Sequence, residues 1–239
     1  MSLLDQFNPQ VEDFIKVCHT LARNLYVTGH GGNLAWKLRD NVILITPTQM
    51  NKGDITRDDV VFIDGAGTTL EGTRKPTGET PMYLKFFSQR PDIQSVVHCH
   101  PPHVCAASIA KGDNWLMKPF YPETVTEVGP VPRVPYGEPL TQELAENFTP
   151  FLQKYDSFLM ENHGLVTVTR KDIAWTHMMV QLLEMSAMSI LLALSAGDVK
   201  PLSREQVKRL SNVMTTRGLP LFGAPGVNES LEDLFYPEG

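Results

Sequence analysis

From residue 8 to residue 26 the apolar positions Val11, Phe14, Ile15, Cys18, Leu21, Ala22 and Leu25 recur at steps of three and four. That spacing predicts an amphipathic helix, which Gly29, Gly31 and Gly32 end. Short apolar runs bounded by turn residues follow. They predict strands over 33–38, 42–46 and 60–64, then 68–71 beyond the Gly65-Ala66-Gly67 turn. A second helix is expected from Thr80-Pro81, with threonine as cap and proline at the first helical position, as far as Gln89. Residues 93–98 read as a strand, and the segment after Pro101-Pro102 as a helix to Ala110.

The stretch 118–139 holds Pro119, Pro122, Pro130, Pro132, Pro135 and Pro139, which leaves room only for short edge strands and ordered loops. A helix over 141–153 and strands over 157–160 and 166–169 come next. Residues 173–196 then form a long helix that is apolar on nearly every side. Its length matches a membrane span, but His177, Gln181, Glu184 and several serines are costly in lipid. A core helix, or one at a subunit contact, is the simpler reading. A shorter helix is expected over 203–217, and the tail 218–239 reads as loop-like, docking late or mobile. No linker or repeat divides the chain. The expectation is one α/β domain over 1–239, with a mixed central β-sheet between helical layers.

Composition narrows the function classes. The 239 residues are 42% hydrophobic and 20% charged, enough for a substantial core. Twenty-one basic and 27 acidic residues give a net charge of −6 with no basic stripe, which argues against a nucleic-acid partner. Three cysteines make no disulfide framework, and MSLLDQFNPQ lacks the pattern of a secretory signal, so a cytoplasmic setting with no membrane partner is expected.

The strongest chemical signal is SVVHCHPPH. Alternation along a strand points His98 and His100 to one side and Cys99 into the core. Two imidazoles on a rigid strand suit a transition metal, and a catalytic zinc takes three protein ligands. For the third, His19 and His177 fall in helical apolar patterns and read as core or interface residues. His30 stays open, and His163, in MENHGLV after a strand and before a glycine, is favoured. The spacing of His98, His100 and His103 imitates the metallo-β-lactamase motif, but Pro102 stands where an aspartate ligand is needed. A cupin would want a glutamate where Val104 and Cys105 lie, and an amidohydrolase barrel needs a longer chain.

GHGGN (29–33), ITPT (45–48) and KPTGET (75–80) are turns rich in Gly, Asn and Thr. Taken together they could form an anion pocket, helped by the helix start near Thr80. No P-loop or GxGxxG pattern is present. Glu79 serves either as a first-turn charge or, near a metal, as a ligand or a base.

Taken in order over residues 10–217, GHGGN, ITPT, VFIDGAG, KPTGE, VVHCHPPH, Tyr121 upstream of VPRVPY, and ENHGL resemble the class II aldolase/adducin family, especially its fuculose-phosphate aldolases. The resemblance implies a three-layer fold with a mixed sheet, and a homotetramer with active sites between subunits. It implies zinc (with manganese or cobalt as substitutes) on His98, His100 and His163, and Glu79 as acid/base that also ligates zinc before substrate arrives. It further implies a phosphate pocket from Gly32, Asn33, Thr48, Gln49, Thr77 and Gly78, and Tyr121 as a catalytic residue lent by a neighbouring subunit. The implied reaction is metal-dependent aldol cleavage of a ketose phosphate or related hydroxy-keto acid through a metal-stabilised enediolate.

Three departures stand in the anion pocket and the tail. The pattern has glycine where Gln49 stands, serine where Gly78 stands, and a tyrosine where Arg217 stands. Arg217 reads either as a clamp for a carboxylate or phosphate or as an exposed helix-end cation. A sugar-phosphate 4-epimerase or an oxo-acid decarboxylase could use the same metal chemistry. The epimerase lacks its aspartate, because Pro139-Leu140-Thr141 occupies that place. A non-catalytic, adducin-head-like interaction domain would lack the histidines and Glu79 that are present here.

Overall fold

A computed structural model describes residues 1–237. Eight strands form one sheet: β1 (Asn33–Arg39), β2 (Val42–Ile45), β3 (Val61–Ile63), β4 (Thr69–Glu71), β5 (Ser95–Cys99), β6 (Arg133–Val134), β7 (Ser157–Met160) and β8 (Gly164–Thr169). Their spatial order is β4-β3-β2-β1-β5-β8-β7-β6. Every pairing is antiparallel except β6 with β7, so the sheet is mixed.

Alternation along the strands divides the core into two faces. Leu34, Trp36, Val97, Cys99 and Leu165 point to a layer made by α2 (Asn8–Arg23), with the short α1 (Leu3–Gln6) beside it, α4 (Pro102–Ile109) and α8 (Ile173–Ala196). Ala35, Val96, Phe158, Val166 and Val168 point to the other layer, made by α3 (Thr80–Gln89), α6 (Gln142–Asn147) and α7 (Thr149–Leu152). The result is the three-layer arrangement expected. α8 is long and apolar enough to cross a membrane by length and composition alone. Its inner side packs on the sheet, α2 and α4.

Several boundaries differ from the sequence reading, each for a local reason. The helix expected over 141–153 divides into α6 and α7, because Pro150 can neither donate an N–H nor let the preceding turn run through it. A helix, α5 (Pro122–Glu127), forms inside the proline-rich stretch, with Pro122 at the tolerant first position. α3 is capped by Glu79 rather than Thr80, without a side-chain capping bond. The tail 218–239, expected to be loop-like, ends in a helix, α10 (Leu231–Phe235); residues 238 and 239 lie outside the described residues. Leu231, Leu234 and Phe235 bury against Val125 of α5 and against Val207 and Met214 of α9 (Arg204–Thr216).

Candidate metal centre

Asn33 and His98 are direct partners across the β1–β5 pairing, and both side chains point to the face that α3 covers. α3 begins at Thr80, so its cap, Glu79, arrives at the same spot. Glu79 Oε2 lies 3.5 Å from His98 Nε2 and accepts a hydrogen bond from Asn33 Nδ2 at 2.8 Å. The Tyr83 hydroxyl donates to the Asn33 carbonyl at 2.7 Å and to its Oδ1 at 2.5 Å, which fixes the amide with Nδ2 toward the carboxylate.

The chain then adds two further rings. The β7–β8 turn carries His163, and His100 follows the last residue of β5. The potential ligand atoms of His98, His100 and His163 all lie within 4.8 Å of one another, with His98 Nε2 3.2 Å from His100 Nε2. His98 Nδ1 sits 2.9 Å from the Leu165 carbonyl, which can only accept. The ring proton is therefore on Nδ1, and Nε2 presents a lone pair.

Glycines make room for this. A Cβ on Gly164 would sit 2.5 Å from His100 Cδ2, and one on Gly31 would sit 3.2 Å from the same ring. Gly32, at φ 65°, lies where a Cβ would meet the His98 carbonyl at 2.9 Å. Gly31 and Gly164 thus leave room for the His100 ring, and Gly32 for the His98 backbone. Asn162, also left-handed at φ 54°, turns the chain into His163; asparagine tolerates that conformation better than most residues.

Burial, with His163 alongside, pushes His98 down to about 3, and burial beside His98 does the same for His100. Burial lowers His163 too, against the pull of the Glu79 carboxylate. All three rings are therefore neutral at pH 7, the form that binds metal. Glu79 is only 4% exposed and is touched by His98 and the Asn33 amide, with the buried Lys52 ammonium close enough to interact with it electrostatically. His163 Nδ1 is buried with no hydrogen-bond partner. An orphaned ring nitrogen, a free lone pair and a buried carboxylate at one point fit a divalent cation, and the nitrogen-rich donor set suits zinc or cobalt better than calcium or magnesium.

The loops meant for an anion pocket do converge. Thr48 N–H donates to the Lys75 carbonyl and Thr77 N–H to the Thr46 carbonyl, each at 3.0 Å, so 46–48 and 75–77 lie side by side next to Glu79. Gln49 is exposed at φ 54°, a left-handed position where glycine sits without strain. Asn33 gives one N–H of its amide to Glu79 and accepts from Tyr83 on Oδ1, which leaves its second N–H available. A Cβ on Gly78 would meet Leu140 Cδ2 at 2.9 Å, so the leucine fills the space of any side chain at 78. Leu140 itself is left-handed, at φ 67°, and 62% exposed. Leu140→Gly is expected to stabilise the protein by up to about 1 kcal/mol, read as a higher thermal midpoint, because it relieves the left-handed strain and gives up little burial.

Other expected residues lie elsewhere. Tyr121 caps α5 and lines a small cavity together with Thr124, Leu183 and Ser186, outside the histidine cluster of its own chain. Arg217 is exposed at the end of α9. His30 is exposed and outside the cluster. His19 is satisfied by the Ile55 carbonyl at 2.8 Å but lies on the surface rather than in the core, whereas His177 is buried. Sequence reasoning missed Tyr83, hidden among the core positions of α3. It also missed Lys52, whose buried ammonium bonds the carbonyls of His30 and Met50 and ties the glycine loop down. A lysine in a turn gives no sign of burial in sequence.

The fold and the three-histidine group define an α/β protein with a candidate metal centre where β1, β5 and α3 meet. The family described as Class II Aldolase and Adducin N-terminal domain matches residues 12–191, and the chain belongs to it. It is 36% identical over 173 residues to an L-fuculose phosphate aldolase of Methanococcus maripaludis, spanning 72% of this chain and 91% of that one. It is 30% identical over 201 residues to a 3-oxo-tetronate 4-phosphate decarboxylase of Pectobacterium atrosepticum, spanning 83% and 91%. Among solved structures, YgbL of Klebsiella pneumoniae superposes with a TM-score of 0.78 at 27% identity, covering 85% of this chain and 98% of that one.

Proposed function

We propose that this chain is a cytoplasmic, zinc-dependent aldehyde-lyase that cleaves a ketose phosphate or a related hydroxy-keto acid by aldol scission. The observation that carries the reading is the meeting of His98, His100 and His163 beside the buried carboxylate of Glu79. A divalent cation held there supplies positive charge against the negative charge that develops on a carbonyl oxygen as the bond to carbon breaks. His98, His100 and His163 hold that cation as neutral donors. Glu79 moves the proton at carbon, and Asn33 and Tyr83 hold its carboxylate in line. Gly32, Asn33, Thr48, Gln49, Thr77 and Gly78 supply donors to the anionic end of the substrate. Arg217 is a further candidate clamp for that end.

Tyr121 reaches a site only in an assembly, where a neighbouring copy lends it to handle the hydroxyl proton of the aldehyde half. The outer side of α8 offers the contact: Met178, Met185 and Leu192, seven residues apart, are exposed together with Met188. We assign this row to the homotetramer. Met185→Lys with Met188→Lys is expected to dissociate it, seen as a lower mass in sedimentation, and to cut activity; an unchanged mass removes α8 from the contact.

A second reading, decarboxylation of a 3-oxo acid phosphate, is favoured by the relative matched over 201 residues. Loss of carbon dioxide leaves the same kind of charge next to a carbonyl. A screen of phosphorylated and free ketoses and 3-oxo acids, with and without chelator, separates the two. Released aldehyde supports the lyase and released carbon dioxide the decarboxylase. Turnover that survives chelation rejects both.

A further inference from the structure

α8 is apolar, yet it buries a glutamate. Glu184 is 6% exposed, sits between Leu183 and Met185 in sequence, and makes no ion pair with any lysine or arginine among the described residues. Its carboxylate instead gathers the start of α4. Oε1 and Oε2 accept from the His103 N–H at 3.0 and 3.1 Å, Oε2 accepts from the Val104 N–H at 3.0 Å, and Oε1 accepts from His103 Nδ1 at 2.7 Å.

The first turn of α4 explains why an outside carboxylate is needed. A helix start leaves several N–H groups without intrahelical partners, and a Ser, Thr, Asp or Asn cap normally takes one. Here the cap is Pro101, which has no side-chain oxygen, and the first helical residue is Pro102, which has no N–H. The unpartnered donors are thus those of His103 and Val104, since Cys105 N–H already bonds the Pro101 carbonyl at 2.8 Å. Both go to Glu184. A negative charge also suits the positive end of a helix.

The same first turn is joined to the metal centre by the stiffest available link. Between His100 and the clamped residues stand only Pro101 and Pro102, whose rings fix φ. On its other side His100 is tied by its N–H to the Tyr26 carbonyl at 2.6 Å. We propose that Glu184 is a positioning residue for His100: by clamping the start of α4 from α8 it sets where this imidazole stands relative to His98 and His163. It touches neither metal nor substrate. Outer partners of a metal ligand are commonly worth 10–100-fold in metal affinity, and here the partner acts through a proline-proline strut rather than on the ring.

The inference rests on His100 being a ligand, and the test separates the two claims. Co2+ is titrated into the purified full chain against a chelator, and its visible spectrum is recorded. Glu184→Gln keeps the shape but replaces an acceptor oxygen by a donor, so one of three donors loses its partner. It should weaken Co2+ binding by about tenfold and shift the cobalt bands. Val180→Ala, one turn away in the buried side of α8, should lower the thermal midpoint while leaving affinity and bands as in the wild type. Coupling is reciprocal, so Co2+ should also slow hydrogen exchange at the His103 and Val104 amides of the wild type, a readout that needs no variant to fold. Wild-type affinity and spectrum in Glu184→Gln, or an equal loss in Val180→Ala, or unchanged exchange at those amides, would overturn the positioning role. A wild type that takes up no Co2+ overturns the metal site and this inference with it.

Discussion

Glu79→Gln is expected to lower kcat by about 10²- to 10⁴-fold, the usual worth of a positioned acid/base, while the protein folds and still binds a divalent ion more weakly. The fold should survive because glutamine has the same shape and keeps an oxygen that can accept from Asn33 Nδ2. The metal-free variant should therefore melt close to the wild-type midpoint. A loss of activity accompanied by a large drop in midpoint would instead make Glu79 a structural residue. Asn33→Ala tests the support behind it. The carboxylate would lose its 2.8 Å donor and Tyr83 one of its two acceptors, keeping the Asn33 backbone carbonyl, so kcat should fall by a smaller factor, with KM changed less than kcat.

The sheet and its flanking layers were legible because the strands are short apolar runs between strong turn signals, and the helices that cover them carry clean three-and-four spacing. The histidine cluster was legible for a different reason. Histidines are scarce, and two of them share a strand face, so alternation alone pairs His98 with His100 and buries Cys99. His163 could only be favoured, since nothing local says that the turn between β7 and β8 ends beside β5; the β5–β8 pairing supplies that. What stayed hidden depends on contacts between distant segments. Leu140 over Gly78, Lys52 beneath the glycine loop and Glu184 at the start of α4 are unremarkable letters where they stand. The helix in the proline-rich stretch was missed because prolines read as breakers, although Pro122 occupies the one helical position where the missing N–H costs nothing. In the tail, Leu231, Leu234 and Phe235 show helical spacing over a single turn, too short a run to stand out.

His163→Ala should cost the protein its metal, with affinity falling by at least about 100-fold, because even an outer partner of a ligand is commonly worth 10–100-fold and this removes a ligand itself. The substitution deletes a buried nitrogen that has no partner in the metal-free chain, so folding should be retained and metal stoichiometry is the quantity to measure. A full equivalent of bound ion in this variant would detach His163 from the centre. The same cluster sets the acid sensitivity of the metal-free protein. His98 and His100 are held at about 3 against an ordinary value of 6.5, so between those two pH values the unfolded chain binds more protons than the folded one. Stability present above pH 6.5 is then lost as the pH falls through that window, and the thermal midpoint of the chelator-treated protein should drop steadily from pH 6.5 toward pH 4. His163 is one of the causes that hold His98 down, so in His163→Ala the His98 ring protonates more readily when folded and the acid-side drop should be shallower. Bound metal should flatten the curve at its upper end, since a ligated imidazole resists protonation until the ion is displaced.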